Sequence, residues 1–134
     1  MGGLVMAAIL LLEDEDQVRV LAESYLEEQG HTVLTAATAD GALAILKSGQ
    51  PVDLLFTDIG LKEELHGGIE LARQAVEMRP GLKVLYTTSR TITDGMRMRF
   101  VEGSAILEKP YTTEQLLHTL TVRFGINPTV RPGH

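Results

Sequence analysis

Four short stretches of this chain carry groups that could do chemistry. Glu13 and Asp14 follow one apolar run, Asp58 closes a second, Thr87, Thr88 and Ser89 close a third, and Glu108, Lys109 and Pro110 close a fourth. If these ends converge, three carboxylates face one ammonium group. Like charges held together raise one another's pKa or attract a cation. With only oxygen ligands on offer a hard divalent ion is favoured, and Mg²⁺ takes a few carboxylates and completes its octahedron with water and phosphate oxygens. The cluster is then half of a phosphoryl-transfer apparatus. It has a carboxylate nucleophile, a metal to neutralise phosphoryl oxygens, and a lysine and a hydroxyl to hold the remainder.

The elements that must bring these ends together are legible from periodicity. Apolar runs at Ala7–Leu12, Thr32–Ala36, Asp53–Thr57, Lys83–Thr87 and Ala105–Leu107 read as strands. Between them lie amphipathic stretches. Val18, Leu21, Ala22, Tyr25 and Leu26 fall on one face of a helix over Asp16–Gln29, which ends at Gly30. Further helices are predicted at Asp40–Lys47, Ile69–Met78 and Thr113–Phe124, with Leu116, Leu117, Leu120 and Phe124 inward. Thr91–Val101 reads as a short or mobile helix, because it has few apolar anchors and carries Gly95 at a cost of ~1 kcal/mol relative to alanine. Strands apolar throughout and separated by helices indicate a parallel sheet covered on both faces. The simplest solution is an α/β doubly wound, five-stranded parallel sheet of order 2-1-3-4-5, the flavodoxin-like arrangement. Its ligand crevice lies outside the carboxyl ends of strands one and three, where Glu13, Asp14 and Asp58 stand.

The 134 residues amount to about one domain, and 44% apolar with 22% charged residues is ordinary for a globular chain. The absence of cysteine excludes disulfides, thiolate catalysis and cysteine-based metal centres. A net charge of −6 repels nucleic acid and anionic membranes, so neither is an expected partner. Ala7–Leu12 is far too short to cross a bilayer, and the start of the chain lacks the basic residues of a secretion signal. The expectation is a soluble, cytoplasmic domain. His31, His66, His118 and His134 lack metal-ligand spacing and are expected on the surface or in loops. Arg90, Arg97 and Arg99 form a local cationic cluster, either a solvated face or a docking patch for an acidic partner.

Singly, each polar group has an ordinary role. Asp14 or Asp16 would cap the following helix, and a lysine before proline is usually a surface residue. Jointly, with order and sheet position agreeing, the four ends resemble the receiver domain of two-component response regulators. The likeness runs from Ala8 to Phe124 and rests on residues 9–16 (Ile-Leu-Leu-Leu-Glu-Asp-Glu-Asp), 53–58 (Asp-Leu-Leu-Phe-Thr-Asp), 84–89 (Val-Leu-Tyr-Thr-Thr-Ser) and 108–111 (Glu-Lys-Pro-Tyr). The resemblance implies a receiver at residues 8–124 between an N-terminal extension, 1–7, and a C-terminal tail, 125–134. It implies that Asp58 accepts a phosphoryl group from a histidine kinase or a histidine phosphotransfer protein. It further implies that Asp14, Asp58 and the Gly60 carbonyl bind Mg²⁺, with Glu13 acting directly or through water. Thr88 would follow the phosphoryl group and Lys109 would pair with it. The Lys109–Pro110 bond would be cis, and Tyr111 stands where the family favours an aromatic residue. Such a domain is a signalling phosphoprotein rather than an enzyme, acting on a downstream protein target or through a phosphorylation-dependent dimer.

Some features depart from that pattern. Glu13 replaces the commoner aspartate, the loop after Asp58 lacks a proline near Lys62 and is expanded by about two residues over Lys62–Gly67, and Ile106 stands where a switching aromatic is usual. The other readings are a receiver-fold interaction module that works without phosphorylation and a receiver fragment of a hybrid histidine kinase. Two further alternatives are weaker. Glu13 and Asp14 would repel a flavin phosphate, and an aspartyl-phosphate hydrolase would want an acid where Gly60 stands.

Overall fold

Short strands that are apolar on both faces can leave water only if helices cover both sides of their sheet. The computed structural model, which describes residues 6–61 and 66–128, has that architecture. Strands β1 (Ala8–Leu12), β2 (Thr32–Ala36), β3 (Leu54–Asp58), β4 (Lys83–Thr88) and β5 (Ala105–Glu108) alternate with helices α1 (Asp16–Glu28), α2 (Ala39–Lys47), α3 (Gly67–Met78), α4 (Asp94–Arg99) and α5 (Thr113–Phe124). All pairings are parallel, in the expected order β2-β1-β3-β4-β5.

The period of two divides the core. Leu10, Leu12, Leu55, Val84 and Tyr86 pack under α2 and α3, while Ile9, Leu11, Leu54, Phe56, Leu85, Ala105 and Leu107 pack under α1 and α5. Continued to the strand ends, this alternation puts Glu13, Asp58 and Lys109 in phase with the α1/α5 side. Thr88 falls in phase with Val84 and Tyr86 on the other.

Several expectations shift in detail. Helix α4 is only six residues long, not the whole of Thr91–Val101. Thr93 caps it by accepting the Met96 N–H at 3.2 Å, and Met96 is its one buried residue. The predicted inner face of α1 is wider than the sheet can cover. Ala22 and Leu26 enter the core, whereas Leu21 is 71% exposed. His31 is buried rather than superficial, because its Nδ1 accepts the Ala7 N–H at 3.2 Å and joins the start of β1 to the α1–β2 turn. Gly30 takes the left-handed backbone expected of it, with φ 94°. At the far end Gly125 is also left-handed and turns Ile126 back into the core, where it is fully buried. The expansion read at Lys62–Gly67 falls mainly on 62–65, outside the described residues, as do 1–5 of the expected extension and 129–134 of the expected tail, His134 included.

Candidate functional site

The ends of β1, β3 and β5 place their side chains at the reversal of strand order. The Lys109 Nζ donates to Glu13 Oε1 at 2.6 Å and to Asp58 Oδ2 at 2.7 Å. The second Asp58 oxygen, Oδ1, accepts the Gly60 N–H at 3.1 Å. Glu13 Oε2 accepts the Glu15 N–H at 3.1 Å, and Arg19 donates to the Glu13 carbonyl oxygen at 2.7 Å. Glu13 is therefore held from both sides and from its own backbone, and it is only 3% exposed.

Burial raises the Glu13 carboxyl above its usual value, and the nearby Asp58 charge adds to that, outweighing the opposing pull of Lys109 and the Glu15 amide. For Lys109, burial works against the ammonium. The hydrogen bonds and charges of Asp58 and Glu13 overcome it and hold the group above the ordinary lysine value. The lysine is thus charged throughout the physiological range.

A pocket of about 320 Å³ opens above this cluster, lined by Asp14, Glu15, Asp58, Gly60, Leu61, Thr88, Ser89 and Arg90. Glu13, Asp14 and Asp58 each offer a carboxylate oxygen within 4.8 Å of the others. Three hard oxygen donors at that spacing fit Mg²⁺, and no softer ligand stands among them. Thr88 is buried on the pocket wall, and its Oγ1 accepts the Arg90 N–H at 3.0 Å. The Lys109–Pro110 bond is cis, as the resemblance implied. Asp14 does not act as the cap of α1. The N-cap is Glu15, with no side-chain bond there.

All six site residues named from the sequence thus converge on one place. Two features of that place were missed. Glu13 is bound to Lys109 as closely as Asp58 is, a contact that no local pattern announces. Gly68 allows α3 to start against the end of β3. Its N–H donates to the Ile59 carbonyl at 2.8 Å, and a Cβ there would lie 1.8 Å from the Asp58 carbonyl oxygen. The Gly67-Gly68 pair was the available signal. The Arg90, Arg97 and Arg99 cluster is not uniform. Arg90 and Arg97 are exposed, whereas Arg99 pairs with Glu70 at 3.3 Å and lies 3.4 Å from His66 Nδ1.

The family model of the response regulator receiver domain matches residues 9–121. The chain belongs to the response regulator receiver domain family. The response regulator receiver protein CpdR of Brucella abortus is 39% identical to this receiver over 116 residues, covering 86% of the chain and 94% of CpdR. The nitrogen assimilation regulatory protein NtrX of Azorhizobium caulinodans is 30% identical over 123 residues, but the match spans only 27% of NtrX. A crystal structure of a receiver protein from Sinorhizobium medicae is 30% identical with a TM-score of 0.79, covering 88% of this receiver and 94% of that chain. The receiver is therefore a signalling domain of two-component systems and not a conventional enzyme. No helix among the described residues is long and apolar enough to cross a membrane.

Proposed function

We propose that this receiver accepts a phosphoryl group on Asp58 from a phosphohistidine of a histidine kinase or histidine phosphotransfer protein, with Mg²⁺ in the acidic pocket. The observation that carries the reading is the Asp58 carboxylate itself. It is held by the Gly60 N–H on one oxygen and by Lys109 on the other, and it faces a pocket wide enough for a phosphoryl group. A carboxylate oxygen of Asp58 attacks phosphorus, a P–O bond forms, and the P–N bond breaks with its electron pair leaving on the imidazole. Lys109 already lies on Asp58 and stays beside the charge that builds on the transferred oxygens. Asp14, Asp58 and the Gly60 carbonyl would hold Mg²⁺, with Glu13 supporting it from beneath, and the ion when bound would neutralise the phosphoryl oxygens in transit. Thr88 supplies a hydroxyl on the same wall, which can exchange the Arg90 amide for a phosphoryl oxygen.

The donor has a place to dock. An apolar groove of about 750 Å³ runs between α1 and the β5–α5 turn, lined by Val18, Leu21, Tyr25, Pro110, Tyr111 and Leu116. It shares Glu15 and Ser89 with the phosphoacceptor pocket, so a protein seated there faces Asp58. The downstream target would meet α4, where Met98 is 85% exposed beside Arg97.

The test is intact-mass measurement after incubation with Mg²⁺ and acetyl phosphate. The parent gains one phosphoryl group and Asp58→Asn gains none. Equal labelling of the two would remove Asp58 as acceptor, and no labelling of either would favour an interaction module that works without phosphorylation.

A further inference from the structure

Two hydroxyls of β4 hold the segments on either side of helix α4. Tyr86 and Thr88 project from the same face of β4, two residues apart. Thr88 Oγ1 accepts the Arg90 N–H, ahead of the helix, at 3.0 Å. The Tyr86 hydroxyl accepts the Val101 N–H, just past the helix, at 3.1 Å. The two ends are not held equally. Beyond the Val101 bond, the Tyr86 ring lies on Phe100 with centroids 4.6 Å apart and an interplanar angle of 30°. Arg73 also donates to the Arg99 carbonyl oxygen at 3.2 Å. Tyr86 is fully buried, and its partner in register on β5 is Ile106. The side chain at that β5 position is thus aliphatic, and the ring that meets the α4 segment comes from β4 instead.

We infer that Tyr86 is the pivot of α4: it anchors the end of the helix to β4 in both signalling states, so that losing the Thr88–Arg90 bond moves the start of the helix and leaves its end in place. The inference rests on the phosphoacceptor reading for what draws Thr88 away, but the anchor itself does not depend on it. A helix of six residues with one buried side chain has little packing of its own to resist such a swing. Its position is decided by what holds its two ends. With the end pinned by a buried ring and a hydroxyl, movement at residues 89–93 becomes rotation about Phe100 and Val101. Met98 and Arg97 ride on the moving part, so the surface offered to a partner changes orientation while the helix stays attached.

The experiment is amide hydrogen exchange, resolved by residue, on the full chain with and without Mg²⁺ and beryllofluoride, a non-covalent stand-in for the phosphoryl group. Without the fluoride, Tyr86→Phe speeds exchange of the Val101 amide about fivefold, the equivalent of one hydrogen bond of roughly 1 kcal/mol. In the parent, beryllofluoride changes exchange over 89–96 and leaves 100–101 protected. In Tyr86→Phe the change spreads through 100–101. Phe100→Leu, which removes the stacked ring and keeps the hydroxyl, produces a partial spread. Unaltered Val101 exchange in Tyr86→Phe would overturn the anchor. Loss of protection at 100–101 in the parent equal to that at 89–93 would overturn the pivot. A chain that shows no bound fluoride resonance would overturn the phosphoacceptor reading instead, and the Val101 comparison would still judge the anchor.

Discussion

The Lys109 ammonium lies 2.6 Å from Glu13 Oε1, across 96 residues of chain. Both side chains are largely withdrawn from water, at 14% and 4% exposure. One cation thus serves two carboxylates, since Asp58 is its other partner at 2.7 Å. Glu13 and Asp58 together hold the Lys109 ammonium in place.

Removing that cation should leave two poorly solvated carboxylates facing each other. Lys109→Met is expected to lower stability by about 3 kcal/mol, since breaking a buried pair from one side is costly. Adding Asp58→Asn to it should restore part of the loss by removing one of the like charges. Urea denaturation of the parent, both singles and the double variant measures this. A double variant as unstable as the sum of the singles would contradict it.

Metal binding should separate the two neighbouring acids. Glu13 has both oxygens occupied, by Lys109 and by the Glu15 amide, whereas Asp14 lines the open pocket. In a calorimetric titration, Asp14→Ala should weaken Mg²⁺ by more than about tenfold, and Glu13→Gln by distinctly less. Equal losses would assign Glu13 a direct ligand role instead.

Two glycines should respond in opposite ways to alanine. At Gly68 a Cβ would collide with the Asp58 backbone at 1.8 Å, so Gly68→Ala should destabilise by about 3 kcal/mol and reduce phosphoryl uptake by displacing Asp58. At Gly95, within α4, the nearest atom to a Cβ is Thr93 Oγ1 at 3.9 Å. Gly95→Ala should therefore stabilise by up to about 1 kcal/mol. Thermal or urea unfolding tests both signs.

The buried His31 gives the fold a pH dependence of known sign. Burial lowers its pKa below 6.5, so the folded protein keeps the ring neutral where the unfolded chain protonates it. The unfolded state then binds more protons, and stability falls as pH drops below the unfolded value, by up to about 1.4 kcal/mol per unit. Below about pH 6.5 the parent should lose stability while His31→Gln stays flatter. Parallel slopes would show that His31 carries no linkage.

Much of this was legible along the chain. The alternation of apolar strands with amphipathic helices specified the sheet and its order, because strands hidden on both faces allow few solutions at this length. The strand ends named the site, because Glu13, Asp14, Asp58, Thr88 and Lys109 each follow an apolar run and a parallel sheet brings all such ends to one edge. Local periodicity could not say how far α1 reaches into the core. That depends on the width of the sheet beneath it, and so Leu21 lies outside while Ala22 lies within. Nor could it place His31, whose burial follows from the closeness of β1 to the α1–β2 turn. The pairing of Glu13 with Lys109, the approach of Gly68 to Asp58, and the hold of Thr88 and Tyr86 on the segments either side of α4 belong to the tertiary structure alone. Each is a contact between segments far apart in sequence, or between a strand and the loop beside it, and its distance is set by sheet register and helix docking rather than by any residue's own preference.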